Sequence, residues 1–133
     1  MQAIVIALDV GDKRIGIAIS DPTGTLASPR KACPRKSGAK IISNLATKEC
    51  CSLILVGLPY LPSGEVGTQA IKTQEFIYEL SQQTSLPIET VDERLSSIEA
   101  RKSISNPNRI RRDKGILDSA SAAIILQRYL DKI

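Results

Sequence analysis

The sequence predicts an α/β protein built on a mixed β-sheet with helices on both faces, and three observations carry that expectation. The chain opens with two apolar segments, QAIVIALDV and RIGIAIS, separated only by a turn, which together read as an antiparallel hairpin. An unbroken apolar run, Leu53 to Val56, needs burial on both faces and hence a parallel neighbour. Strand-like runs then alternate with helical periodicity to the end of the chain, the order that crossover connections produce.

The elements follow in turn. In RIGIAIS, Ile15, Ile17 and Ile19 alternate with smaller residues, as a strand with one bulky face does. Residues 22–37 contain three prolines and predict an edge strand over Leu26 to Cys33. GAKIISNLATKEC spaces Ile41, Ile42 and Leu45 as a short helix, and SLILVGLP is the buried strand. After the Gly/Pro-rich loop PYLPSGEVG, Ala70, Ile77 and Leu80 fall near one face of a second helix, with another strand at PIETV. Ser96 and Glu99 form a capping box that starts a helix running toward Lys102. A basic loop containing Pro107 ends it, and KGILDSASAAIILQRYL forms a last long helix whose Ala120, Ala122 and Ala123 permit close packing on the sheet. Of the tyrosines, Tyr78 and Tyr129 are expected in the core; with Tyr60 they are too scattered to stack bases.

The 133 residues suit a single domain, 1–133, and 42% hydrophobic with 24% charged residues is ordinary globular composition. The apolar N-terminus is short, has no basic leader and is interrupted by Asp9, so neither a signal peptide nor a membrane span is expected and the location predicted is cytoplasmic. Cys33, Cys50 and Cys51 form no C-x-x-C pair and read as free thiols. The net charge of +4 favours a polyanionic partner only mildly. Its distribution says more, because RKSISNPNRIRRDK sets Arg101, Lys102, Arg109, Arg111, Arg112 and Lys114 against one acid, Asp113. On composition alone such a run is more often a solvated loop than a nucleic-acid contact. There is no histidine, which excludes His-based triads and zinc sites of the His type.

In sheets of this kind, ligands gather beyond the carboxyl ends of the parallel strands. Asp9 ends the first strand, Gly57 to Pro59 the first crossover strand, and Asp92 with Glu93 the second, so three distant segments converge on one rim. A carboxylate at a buried strand end is costly unless paired, hydrogen-bonded or bound to a cation. Its candidate company is more acids, Asp92, Glu93 and Asp118, and mutually repelling carboxylates are reconciled by a hard cation such as Mg²⁺ or Mn²⁺. Two such ions about 4 Å apart can bind a scissile phosphate, activate water and stabilise the leaving oxygen without histidine. Strand alternation puts Glu93 and Asp92 on opposite faces, and Glu93 is the favoured ligand. Asp118 shares a helix face with Ser121, Ala122 and Ile125, a small-residue face that turns toward the sheet. Beside a phosphodiester, Lys13, Arg14 and Arg94 become phosphate clamps, joined by Arg111 and Arg112. Each residue alone also has a structural explanation: Asp9 could shape the hairpin, Asp92 bond a loop, Asp118 complement a helix N-terminus, and the basic residues solvate turns. The combination is what points to chemistry.

The ordered segments DVGDKRIGIAISD, LILVGLP with SGEVGTQA, VDERLSSIEA and LDSASAAIILQRYL resemble the YqgF family, Holliday-junction-resolvase-like proteins also described as pre-16S rRNA nucleases. The resemblance runs over essentially the whole chain. It implies an RNase H-like fold with a five-stranded mixed sheet flanked by helices, and metal-dependent phosphodiester hydrolysis with acids at Asp9, Glu93 and Asp118. It also implies a role at the 5′ end of precursor 16S rRNA, with room for association with a ribosomal subunit; the older proposal for the family is resolution of branched DNA. Ser97 replaces the family's usual Thr but keeps the hydroxyl. Ser121 stands where resolvases carry a fourth acid, which leaves one metal or two open. Two rivals differ in class. An actin-like ATPase, with a similar Asp-x-Gly hairpin, would need a second domain that this chain does not supply. A non-catalytic RNA-binding or ribosome-associated factor would keep the acids for shape alone. Monomer and homodimer are both compatible with the sequence, although symmetric junction cutting requires a two-fold dimer.

Overall fold

The computed structural model describes residues 3–61, 63–92 and 119–132. The helix expected from Ser96, the basic run 101–114 and the first residues of the last expected helix lie outside them. The described elements are β1 (Ile4–Val10), β2 (Arg14–Ser20), β3 (Ala27–Pro34), α1 (Gly38–Lys48), β4 (Cys51–Leu58), α2 (Thr68–Ser81), β5 (Ile88–Asp92) and α3 (Ala120–Lys132). The strands form one five-stranded sheet in the order β3-β2-β1-β4-β5. β1 pairs antiparallel with β2 and β2 with β3, whereas β4 pairs parallel with both β1 and β5. The mixed sheet expected from the N-terminal hairpin and the apolar run at Leu53 is therefore present.

Alternation along the strands divides the core in two. Ile6, Leu8 and Val10 of β1, Ile15, Ile17 and Ile19 of β2, and Ile54 and Val56 of β4 pack with Ile42 of α1 and with Phe76 and Leu80 of α2. On the other face, Val5, Ala7, Ala18 and Leu55 meet Ala122, Ile125, Leu126 and Leu130 of α3. The small residues of the sheet are those that face α3, so the helix can approach closely. β1 and β4 are covered on both faces, which is why their sequences read as apolar runs rather than alternating patterns.

The helical faces are rotated from two of the sequence expectations. In α1 the buried residues are Gly38, Ile42 and Ala46, four apart, which leaves Ile41 on the flank and 38% exposed. In α2 they are Ala70, Thr73, Phe76 and Leu80. Tyr78 stands about 200° around the helix from Phe76 and is 69% exposed, so it is not a core residue. Tyr129 is partly buried beside the α3 cluster, as expected. The edge strand begins at Ala27, and Leu26 is exposed. Its Pro29 sits opposite Ala18, where an edge strand tolerates a missing N–H.

α3 is tied to the β2–β3 hairpin at its start and again past its middle. Ser119 Oγ accepts from the Ile17 amide at 2.9 Å and donates to the Arg30 carbonyl at 2.5 Å. Gln127 accepts from the Ala27 amide at 3.0 Å and donates to the Thr25 carbonyl at 2.9 Å. Leaving a buried amide unpaired costs about 1–3 kcal/mol, more than a hydrogen bond's net worth, so these bridges set where the helix can lie. By comparison, the Arg30–Glu49 ion pair at 2.6 Å is partly solvated and falls in the class worth less than about 1 kcal/mol.

Helix α1 turns into β4 through Cys50, whose φ of 57° is left-handed, a position glycine usually fills at a helix end. That turn leaves Cys50 exposed and buries Cys51, and Cys33 is buried as well; all three are free thiols. Burial, with Glu49 nearby, pushes the Cys51 thiol up to about 11, and burial raises Cys33 too. Thiolate is therefore scarce at both buried positions at pH 8. We expect a thiol reagent at that pH to label one cysteine, Cys50, within minutes and all three only in denaturant; rapid labelling of two or three in buffer would contradict the packing around Cys33 and Cys51.

Candidate active site

The carboxyl ends of β1, β4 and β5 lie on one rim, because the three strands are parallel neighbours. Asp9 sits there, half-buried. Val5 and Ala7 point toward α3, so the two-residue period of the strand puts Asp9 on the same face. Its partner across the β1–β2 ladder is Gly16, which carries no side chain to fill the space beside it. A cavity of about 250 Å³ opens at this place, lined among the described residues by Asp9, Gly11, Arg14 and Gly16.

The turn that carries this cavity is tightly closed. The Gly11 amide donates to the Arg14 carbonyl at 2.8 Å across Asp12 and Lys13. The Arg35 amide donates to the Lys13 carbonyl at 2.8 Å, and α2 grips the same corner through Gln69 to the Val10 carbonyl at 3.4 Å and Lys72 to Asp12 at 3.2 Å. Arg14 shares the strand phase of Gly16 and Ala18 and so lies on the Asp9 side. Lys13 is exposed at the tip of the turn.

Across the rim, β5 alternates in the same way. Val91 packs with the α3 cluster and Ile88 with the opposite one, so Asp92, in phase with Ile88, projects from the face away from Asp9, and it is exposed. Glu89, on the α3 side, takes the hydrogen bond of Tyr129; burial first and this carboxylate second raise the Tyr129 hydroxyl above its ordinary range. An acid at the far rim, Asp21, has a purely local task. The Thr23 hydroxyl, then the Leu26 and Thr25 amides, hold its carboxyl below its usual range and close the β2–β3 loop.

Of the residues expected at the site, the structure brings Asp9 and Arg14 to one cavity. Glu93, Arg94, Arg111, Arg112 and Asp118 lie outside the described residues, and among the described residues no group of three or more Asp, Glu, Cys or His side chains is placed to hold a metal. Sequence reasoning passes over Gly11 and Gly16 as site residues. The signal for Gly16 is its place in the alternating RIGIAIS, directly across from the strand end that bears Asp9.

Comparison with known proteins shows the family and the fold. A family model described as "RuvX: Holliday junction resolvase" matches residues 3–132. The chain belongs to this family. The protein of Synechocystis sp. named "Putative pre-16S rRNA nuclease" is 42% identical, over 98% of this chain and 88% of the relative. A relative of the same name from Roseiflexus sp. is 41% identical, over 96% of this chain and 93% of its own length. The chain is thus a member of the RuvX/YqgF nucleases. Among solved structures, Thermus thermophilus RuvC in complex with a Holliday junction substrate superposes with a TM-score of 0.61, 8% identity, and coverage of 98% of this chain and 96% of that one. The fowlpox virus Holliday junction resolvase gives 0.58 with 12% identity, covering 98% and 99%. At such identities the likeness establishes the fold, which is RNase H-like.

In the RuvX chain the turn beside this cavity closes too tightly for a side chain at Gly11. A Cβ built on Gly11 would stand 2.8 Å from the Arg14 carbonyl oxygen, a backbone atom that cannot swing aside. We expect Gly11→Ala to lower stability by about 1–3 kcal/mol in urea unfolding, the usual cost of overpacking; a variant as stable as the wild type would show that the turn has slack.

Proposed function

We propose that this chain is a divalent-metal-dependent endonuclease that hydrolyses phosphodiester bonds at the 5′ end of precursor 16S rRNA. The observation that carries the reading is the half-buried Asp9 facing α3 from the carboxyl end of the central strand, beside a cavity with glycines on its walls. A carboxylate in that setting suits a hard cation, and an all-oxygen donor set suits Mg²⁺ or Mn²⁺. Asp9, Glu93 and Asp118 would hold it. The phase of β5, with Glu89 and Val91 toward α3, supports Glu93 over Asp92 as the second ligand. The ion, when bound, would supply Lewis-acid polarisation of the phosphate and acidify a water molecule.

The remaining work falls to residues of the chain. Arg14 presents a planar fork of donors that can grip two phosphate oxygens and hold the strand in line. Gly11 and Gly16 leave room for the sugar-phosphate backbone to approach Asp9. Lys13, Arg94, Arg111 and Arg112 extend the positive charge along the substrate. With no histidine in the chain, proton transfer cannot run through imidazole, which is consistent with a metal-centred site.

Relatives named for pre-16S rRNA cleavage favour RNA as substrate, and a family named for Holliday junction resolution favours a four-way DNA junction as the second reading. We take residues 1–133 as one nuclease domain acting in the cytoplasm, with association to a ribosomal subunit through the precursor RNA. No helix among the described residues is long and apolar enough to cross a membrane. RNA trimming works with a monomer, whereas symmetric junction cutting requires a homodimer.

Asp9→Asn should reduce Mg²⁺- or Mn²⁺-dependent cleavage of 5′-extended 16S precursor RNA by more than about 100-fold, the upper end of what residues merely supporting a metal's ligands cost. EDTA should abolish the wild-type reaction and added metal restore it. Cleavage unchanged by Asp9→Asn would defeat the assignment, and symmetric cutting of a four-way junction in place of RNA would favour the resolvase. Replacing both Arg111 and Arg112 by Ala should flatten the log–log salt dependence of RNA binding by about 0.7 for each phosphate left unneutralised; an unchanged slope would mark the basic run as a solvated loop.

A further inference from the structure

Ser119 is fully buried, yet its hydroxyl does not serve its own helix. Its carbonyl accepts the Ala123 amide at 3.0 Å and so opens the helical ladder of α3, the position from which a serine side chain ordinarily caps. Here the hydroxyl reaches across to strands about a hundred residues earlier in the chain, to the Ile17 amide and the Arg30 carbonyl.

The place it reaches is a defect in the sheet. Ile15 pairs with Cys33 but Ile17 with Arg30, so two β3 residues, Lys31 and Ala32, stand opposite Gly16 alone. At this bulge the hydroxyl takes both the amide and the carbonyl that the partners Ile17 and Arg30 would otherwise offer each other. The bulge lies at Gly16, and Gly16 is the residue opposite Asp9. One hydroxyl therefore registers the start of α3 against the strand position that faces Asp9.

We propose that Ser119 is a positioning residue of the metal site. By bridging Ile17 and Arg30 across the bulge at Gly16, Ser119 fixes the strand position that faces Asp9 and with it the space beside that carboxylate. The inference rests on the reading above, in which Asp9 holds the metal. The Gln127 bridges hold the same helix about two turns further on and provide the control, since their loss loosens α3 without touching the bulge.

The test compares wild type, Ser119→Ala, Ser119→Cys and Gln127→Ala. It measures Mn²⁺ affinity by calorimetry, half-saturating Mg²⁺ for cleavage of the precursor RNA, RNA affinity in EDTA, and the folded fraction by circular dichroism at the assay temperature. Ser119→Ala should weaken Mn²⁺ binding and raise half-saturating Mg²⁺ by about 10–100-fold, with RNA affinity in EDTA within about twofold of wild type. Ser119→Cys keeps the volume with a weaker donor and should fall between; it also serves if the alanine variant does not fold. Gln127→Ala should lower thermal stability and leave metal affinity unchanged. Unaltered metal affinity in both folded Ser119 variants, or an equal shift in Gln127→Ala, overturns the inference while wild type still binds metal and cleaves. A wild type that neither binds Mn²⁺ nor cleaves overturns the nuclease reading and this inference together.

Discussion

The hydrogen bonds from Ser119 and Gln127 to the β2–β3 hairpin clamp α3 across one face of the sheet, and the geometry of the rim depends on that clamp. The close approach it requires accounts for Ala7, Ala18 and Ala122, all fully buried where helix and sheet meet. Larger side chains there would lift the helix from the sheet and pull Ser119 from the bulge, stranding the Ile17 amide at a cost of about 1–3 kcal/mol. Small residues in the core and a hydroxyl in the sheet are thus two parts of one constraint.

The opposite face tolerates more bulk. Ile6, Leu8, Ile15, Ile17, Ile54 and Phe76 fill the space beneath α1 and α2. Arg35 lies over the Phe76 ring at 4.7 Å and pairs with Glu79 at 3.3 Å, which ties the strand β3 exit to α2. With Gln69 and Lys72 gripping the β1–β2 turn, this side of the molecule holds the corner on which Arg14 and Gly11 sit. The cavity at Asp9 is consequently framed from both faces, by packing on one and by hydrogen bonds on the other.

A rim of this kind brings charge to a place where burial would normally exclude it. The parallel strands β1, β4 and β5 end together, and beyond the last paired residues the backbone no longer covers its neighbours. An acid at that boundary is half in water and half in protein, where a cation gains more from it than at an open surface. The fold does not by itself set the substrate, which rests on what surrounds the rim.

Much of the fold is legible in the sequence because alternation and apolar runs report burial directly. Ile15, Ile17 and Ile19 announce one face of β2, Leu53 to Val56 a strand covered twice, and Asp9 a strand end that needs a reason. Tyr78 and Ile41 depart from the sequence expectation because a helix face is narrow: one residue turns the chain by about 100°, and the face is chosen by the sheet beneath it. Among site residues, Asp9 and Arg14 stand out by type and position, while Gly11 and Gly16 do not, since an empty space has no residue signature. The sequence by itself determined the strands, the covered faces and the acid at the end of β1, because these depend on neighbours along the chain. Only the tertiary structure decided that Gly16 stands opposite Asp9 and that Ser119 bridges Ile17 and Arg30, because register and hydrogen bonds between distant segments carry no local pattern.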